Sequence, residues 1–134
     1  MIQLTKEMIL KLHYISIEKY GGLDGIRDEN LLDSAISSPY QTFGGEDLYP
    51  SIVEKCARLC FSIIKNHPFI DGNKRTAFFV LASLLTLNHI TLFAKKKEIV
   101  KTIEGVLQLV QSHSIVFYSG SRIISNKSIE INSK

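Results

Sequence analysis

Tryptophan is absent from the 134 residues, cysteine occurs twice and proline three times. Cys56 and Cys60 lie four apart in an apolar periodic stretch, too few and too close for a disulfide framework. Without a second Cys pair nearby they also fall short of a structural zinc set, so both read as buried free thiols in a reducing cytoplasm. The longest apolar region, Ala77 to Leu87, is too short to span a bilayer. The opening MIQLTKEMILKLHYISIEKY interleaves Lys and Glu with apolar residues, which denies it the core of a signal peptide. Excess charge is also scarce. Sixteen Lys plus Arg against 13 Asp plus Glu leave +3, and the run Lys95, Lys96, Lys97 accounts for it, so no diffuse basic footprint for direct nucleic-acid binding is present.

What remains, 45% hydrophobic and 22% charged, is the composition of one globular domain. A chain of this mass buries roughly two-thirds of its unfolded surface on folding, enough for a core without cross-links.

Leu4, Met8, Leu12 and Ile15 recur at helical spacing behind Thr5, which predicts a capped first helix to Tyr20. Gly21 and Gly22 stop it, GGLDGIRDEN has the chemistry of an ordered loop, and Asp28 can cap a short second helix holding Leu31, Leu32, Ala35 and Ile36. Ser38 to Ser51, with its Gly pair and Tyr40, Phe43 and Tyr49, reads as a hairpin-like flap whose open backbone can receive a partner. Pro50 is suited to the first turn of a third helix, ending near Asn66, with Ile52, Cys56, Leu59, Cys60, Ile63 and Ile64 on one stripe. The next helix is apolar on nearly every side from Ala77 to Leu87, as expected of a buried central element. A further helix is expected from the lysine run through Val110, followed by a β-branched, Ser-rich tail without helical period. The expected fold class is all-α: a compact helical bundle with a buried central helix and a flap.

Chemistry concentrates in His67-Pro68-Phe69-Ile70-Asp71-Gly72-Asn73-Lys74-Arg75. Pro68 ends the third helix at His67, whose imidazole can accept a proton from a hydroxyl. Gly72 and Asn73 open the next helix, whose free N–H groups and positive dipole end suit an anion. Lys74 and Arg75 in its first turn oppose that dipole unless an anion is bound, which points to phosphate. Asp71 is a hard oxygen ligand, sufficient for Mg²⁺ when a nucleotide supplies further oxygens. Phe69 reads as a core anchor. His13, His89 and His113 show no partners and receive no function.

HPFIDGNKRTA resembles the signature of the Fic/Doc family, His-Pro-Phe-x-Asp/Glu-Gly-Asn-Gly/Lys-Arg, and more closely that of the Doc toxins; KYGGLDGIRDENLLDSAI is similar to the family's Gly-Gly-x-x-Gly segment. The resemblance extends to about Ser112, implying a catalytic domain over 1–112 and a tail over 113–134. It implies that His67 is the general base, Asp71 the Mg²⁺ ligand, Asn73 a contact orienting phosphate and Arg75 a phosphate-binding cation, with Gly72 and Lys74 in the same cradle. Adenylylating Fic enzymes usually carry glycine where Lys74 stands and a second arginine where Phe78 stands. Both departures match the Doc pattern, and so imply phosphorylation, from ATP, of a Ser or Thr hydroxyl on a protein such as elongation factor Tu. The flap, as in the family, would hold the target's extended segment. Neither GIRDEN nor VKTIEG fits the family's inhibitory Ser/Thr-x-x-x-Glu-Gly/Asn pattern, because Gly25 and Val100 occupy the hydroxyl position. Restraint is therefore expected from a separate antitoxin that contributes an inhibitory helix. Adenylylation and a non-catalytic nucleotide- or antitoxin-binding module are the competing readings; a metal-dependent hydrolase would need more ligands.

Overall fold

In the computed structural model, residues 1–90 are described in full, together with the backbone of 115–117, 122–125 and 130–132. The chain is mostly helical, as expected: α1 Lys6–Tyr20, α2 Glu29–Ser37, a 3-10 turn Ser38–Tyr40, the hairpin β1 Thr42–Phe43 and β2 Glu46–Asp47, α3 Ile52–Asn66 and α4 Asn73–Leu87. Past residue 113, β3 Ile115–Phe117, β4 Arg122–Ser125 and β5 Glu130–Asn132 form an antiparallel meander, with Val116 opposite Ile124 and Ile123 opposite Ile131. The helix expected from Lys95 to Val110 lies outside the described residues.

Local signals set the helix ends. Thr5 Oγ1 accepts the Met8 N–H at 3.2 Å and Gly21 closes α1 with φ 83°; Asp28 Oδ1 accepts the Leu31 N–H at 3.0 Å to start α2. The start of α3 differs from expectation. Ser51 is the cap, in a reciprocal pair with Glu54 (3.0 and 2.9 Å), and Pro50 stands one residue before it. The Ser-x-x-Glu spacing is a capping box, which satisfies two free N–H groups, whereas proline in the first turn satisfies none.

Of the stripe predicted for α3, Cys56, Leu59, Cys60 and Ile63 are buried and Ile52 and Ile64 are half-buried; with Ala57 they pack in one core with Ala77, Val80, Leu81 and Leu85 of α4, which have no exposed surface. Helix α4 lies between α3 and α1. Its enclosure is less uniform than predicted, since Phe78, Phe79, Ala82 and Ser83 are half-buried and Leu87 is exposed. Asn88, just past α4, accepts the Ile2 N–H at 2.8 Å and donates to the Ile2 carbonyl at 2.9 Å, fixing the N-terminal segment. The flap is a true hairpin, with Phe43 opposite Glu46 and Phe43 81% exposed; Gly44 and Gly45 turn it with φ of 59° and 82°, which glycine alone adopts without strain.

Burial pushes the Cys56 and Cys60 thiols up to about 12. Both are therefore neutral thiols at pH 8, where the thiolate is the reactive form. The folded protein is expected to react with a disulfide-exchange reagent far more slowly than the urea-unfolded chain, which should titrate two thiols at once. Fast modification without urea would show that the α3–α4 interface opens.

Candidate active site

The loop between α3 and α4 is shaped from its first residue. Pro68 sterically disfavours right-handed helical geometry at His67, which takes the left-handed region instead, φ 51° and ψ 52°, after a last helical bond from its N–H to the Ile63 carbonyl. This conformation costs a non-glycine residue about 1 kcal/mol and is held from outside. Arg27 donates from Nε to the His67 carbonyl at 2.6 Å and from Nη2 to the Asn66 carbonyl at 2.8 Å, a cation on the orphan carbonyls that end a helix. The Arg27 and Asp28 N–H groups donate to the Pro68 carbonyl (2.7 and 3.1 Å), Ile70 N–H to the Gly25 carbonyl (3.0 Å) and Leu23 N–H to Asp71 Oδ2 (3.1 Å). Residues 23–28 thus run as a strap along 67–71. Gly22 makes the close approach feasible: a Cβ there would lie 3.2 Å from Asp71 Oδ2.

From inside, the loop rests on α1. Phe69 is fully buried, as predicted, and the His13 ring stacks on it at 3.9 Å and 6°. His13 Nε2 lies 2.8 Å from the Asp71 carbonyl; a carbonyl only accepts, so the ring nitrogen is the donor. His13 therefore has the partners that its sequence surroundings did not reveal. Gly72, with φ 73°, precedes α4, and a Cβ on it would press on Ile17 Cδ1 at 3.2 Å and Ser16 Oγ at 3.3 Å.

Asn73 opens α4 from a buried position. Its Oδ1 accepts the Phe69 N–H at 2.9 Å, while Nδ2 donates to the Phe69 carbonyl at 3.0 Å and lies 2.9 Å from His67 Nδ1. Both amide hydrogens are engaged, which leaves none for the phosphate contact expected of this residue. The imidazole of His67 is exposed.

At the start of α4 no side chain caps the helix, and the N–H groups of Asn73, Lys74 and Arg75 have no partner among the described residues. Lys74 is exposed, and its ammonium makes no ion pair or hydrogen bond among them. Arg75 differs from expectation. Its Nη1 donates to the carbonyls of Ser16 (3.3 Å) and Gly21 (3.0 Å), and the guanidinium lies 5.3 Å from the centre of the Tyr20 ring. The C-terminal end of α1 thus supplies the negative partner that a cation in the first turn of α4 needs, so Arg75 by itself does not require an anion. Lys74 and the free N–H groups remain available to an anion.

Asp71 is exposed, with Oδ2 accepting from Leu23 and Oδ1 without a partner among the described residues. No group of three or more His, Cys, Asp or Glu side chains among the described residues can hold a metal. One open carboxylate beside an anion-seeking helix end fits a Mg²⁺ ion that takes its other ligands from phosphate and water, and does not fit a zinc site.

Arg27 was not singled out by its motif, and its contribution is measurable. Arg27→Met removes the fork from the two carbonyls; because the side chain is exposed, the stability loss should be about 1 kcal/mol, seen as a fall in Tm. Any activity that depends on His67 should fall by about tenfold or more, because small misplacements cost rate steeply, with Arg27→Lys in between.

A sequence model described as the Fic/DOC family matches residues 3–85. Toxin Doc of Mycolicibacterium smegmatis is 41% identical over 75 residues, 56% of this chain and 58% of that protein. Protein kinase doc of Escherichia phage P1 is 28% identical over 93 residues, 69% of this chain and 73% of that protein.

Proposed function

The chain belongs to the Fic/DOC family, and from that premise we propose that it is a Doc-type toxin that transfers the γ-phosphoryl group of ATP to a Ser or Thr hydroxyl of a target protein. The names of its two relatives, a toxin and a protein kinase, support that reading. The observation that carries it is one loop, clamped between α1 and the strap, that gathers an exposed imidazole, an open carboxylate and an uncapped helix N-terminus.

In this reading the N–H groups of residues 73–75 and the Lys74 ammonium hold the nucleotide's phosphates, with Gly72 allowing the close approach. The uncommitted N–H groups of Arg75 face the same phosphates while Nη1 stays on α1. Asp71 would hold a Mg²⁺ ion, which would supply positive charge beside the phosphates. His67 manages the proton of the acceptor hydroxyl. The flap strand carrying Phe43 pairs with an extended segment of the target, for which a translation factor such as elongation factor Tu is the candidate. A separate antitoxin restrains the enzyme with a helix laid over the cleft. No helix among the described residues is long and apolar enough to cross a membrane, and we place the activity in the cytoplasm.

The test is incubation of the chain and its target with ATP labelled at either end. Label from the γ position, lost on His67→Ala, is the expected result. Label from the α position instead would make the chain an adenylyltransferase, with Lys74→Gly the variant to examine next. No transfer from either, with nucleotide still bound, would make it a binding module.

A further inference from the structure

The orientation of the Asn73 amide is fixed by the Phe69 backbone. Oδ1 accepts that residue's N–H at 2.9 Å and Nδ2 donates to its carbonyl at 3.0 Å; an amide turned over would set N–H against N–H and oxygen against oxygen. The group 2.9 Å from His67 Nδ1 is therefore an N–H donor. A neutral imidazole has one N–H and one lone pair. Facing a donor, Nδ1 must carry the lone pair and the proton must sit on Nε2.

We propose that Asn73 is a positioning residue that sets the location of the proton on the neutral imidazole of His67, holding it in the Nε2–H form. The other nitrogen then presents a donor on the exposed side of the ring. This deepens the reading of His67 given above and rests on it only for its catalytic consequence. A donor suits a phosphoryl oxygen, but it cannot take a proton from a hydroxyl. For His67 to act as a base at Nε2, that nitrogen must release its proton to solvent and Nδ1 must gain one from solvent, so that protons balance. The new Nδ1–H then needs an acceptor where the Asn73 N–H now stands. The amide can supply one only by turning over, which breaks both bonds to Phe69 in the buried part of the loop. The free chain is thus a resting form, and its activation is coupled to the Asn73–Phe69 pair.

The experiment is ¹⁵N spectroscopy of the histidine ring nitrogens in the full-length, uniformly labelled chain, about two pH units above the ordinary histidine value, with His67 assigned by loss of its signals in His67→Gln. The folded wild type should show Nδ1 unprotonated and Nε2 protonated, with a bias tenfold or more stronger than in the urea-unfolded chain. In Asn73→Asp the carboxylate can accept from Nδ1–H, and the preference should invert. A folded population no more biased than the unfolded one would overturn the proposal, as would an unchanged tautomer in a folded Asn73→Asp. If Asn73→Asp does not fold, the folded-against-unfolded comparison decides alone. Should the tautomer be as stated while His67→Ala transfers phosphate normally, the catalytic role given to His67 fails and the tautomer assignment stands; no transfer by the wild type would overturn the phosphotransfer reading and leave the tautomer assignment intact.

Discussion

Replacing His67 with alanine should lower the transfer rate by about 10²–10⁴-fold, the range of a general acid–base residue, while leaving the fold and nucleotide binding in place. The structure separates these outcomes. The imidazole is exposed and its bond to the described residues is the one from Asn73, whose other two bonds go to Phe69 and remain. The left-handed backbone at position 67 is held through its own carbonyl by Arg27, a bond that alanine keeps. The N–H groups proposed to hold the phosphates belong to residues 73–75 and are untouched. Tm within about 2 °C of wild type, a calorimetric nucleotide affinity within about twofold, and a rate near background are expected; a change of one kcal/mol in stability would shift Tm by more than that. A variant that retains most of its rate would remove His67 from the mechanism.

Asp71→Asn should produce the second large effect, and a different one. Asparagine has the same shape, and its oxygen can still accept the Leu23 N–H that Oδ2 now receives at 3.1 Å. The His13 bond goes to the Asp71 backbone carbonyl and is indifferent to the change. What is lost is the negative charge, and with it the hard anionic ligand that a Mg²⁺ ion requires. The expected result is a Mg²⁺ concentration for half-maximal rate raised by about tenfold or more and a rate at saturating Mg²⁺ lower by roughly 10²-fold, with Tm unchanged. An unaltered Mg²⁺ dependence would show that Asp71 serves the strap and not a metal.

These two positions were legible because their signal is contiguous. Nine neighbouring residues name an imidazole, a carboxylate and a helix start in the order in which the chain uses them. The helix caps Thr5 and Asp28, the flap around Gly44 and Gly45, and the buried Phe69 were readable for the same reason: each depends on backbone geometry or apolar spacing within a few residues. The Ser51–Glu54 box was written as plainly as Pro50 beside it, and there the stronger hydrogen-bonding signal was the better guide.

Partnerships across distance were not readable. His13 and Asp71 are 58 positions apart, Arg27 and His67 are 40 apart, and Arg75 is 59 from Ser16. Nothing in the composition of either member of such a pair marks the other, because a hydrogen bond between distant residues is created by packing and not by local conformational preference. That packing changed what several motif residues do. Arg75 spends one end of its guanidinium on α1, Asn73 uses both amide hydrogens inside the loop, and His13 is a clamp on the carbonyl of Asp71. The kinds of chemical group at the site follow from the order of residues along the chain. Which atoms of those groups stay free to act is decided only when α1 and the strap close on the loop from two sides, since polar atoms buried in the loop take partners there and the remainder faces solvent.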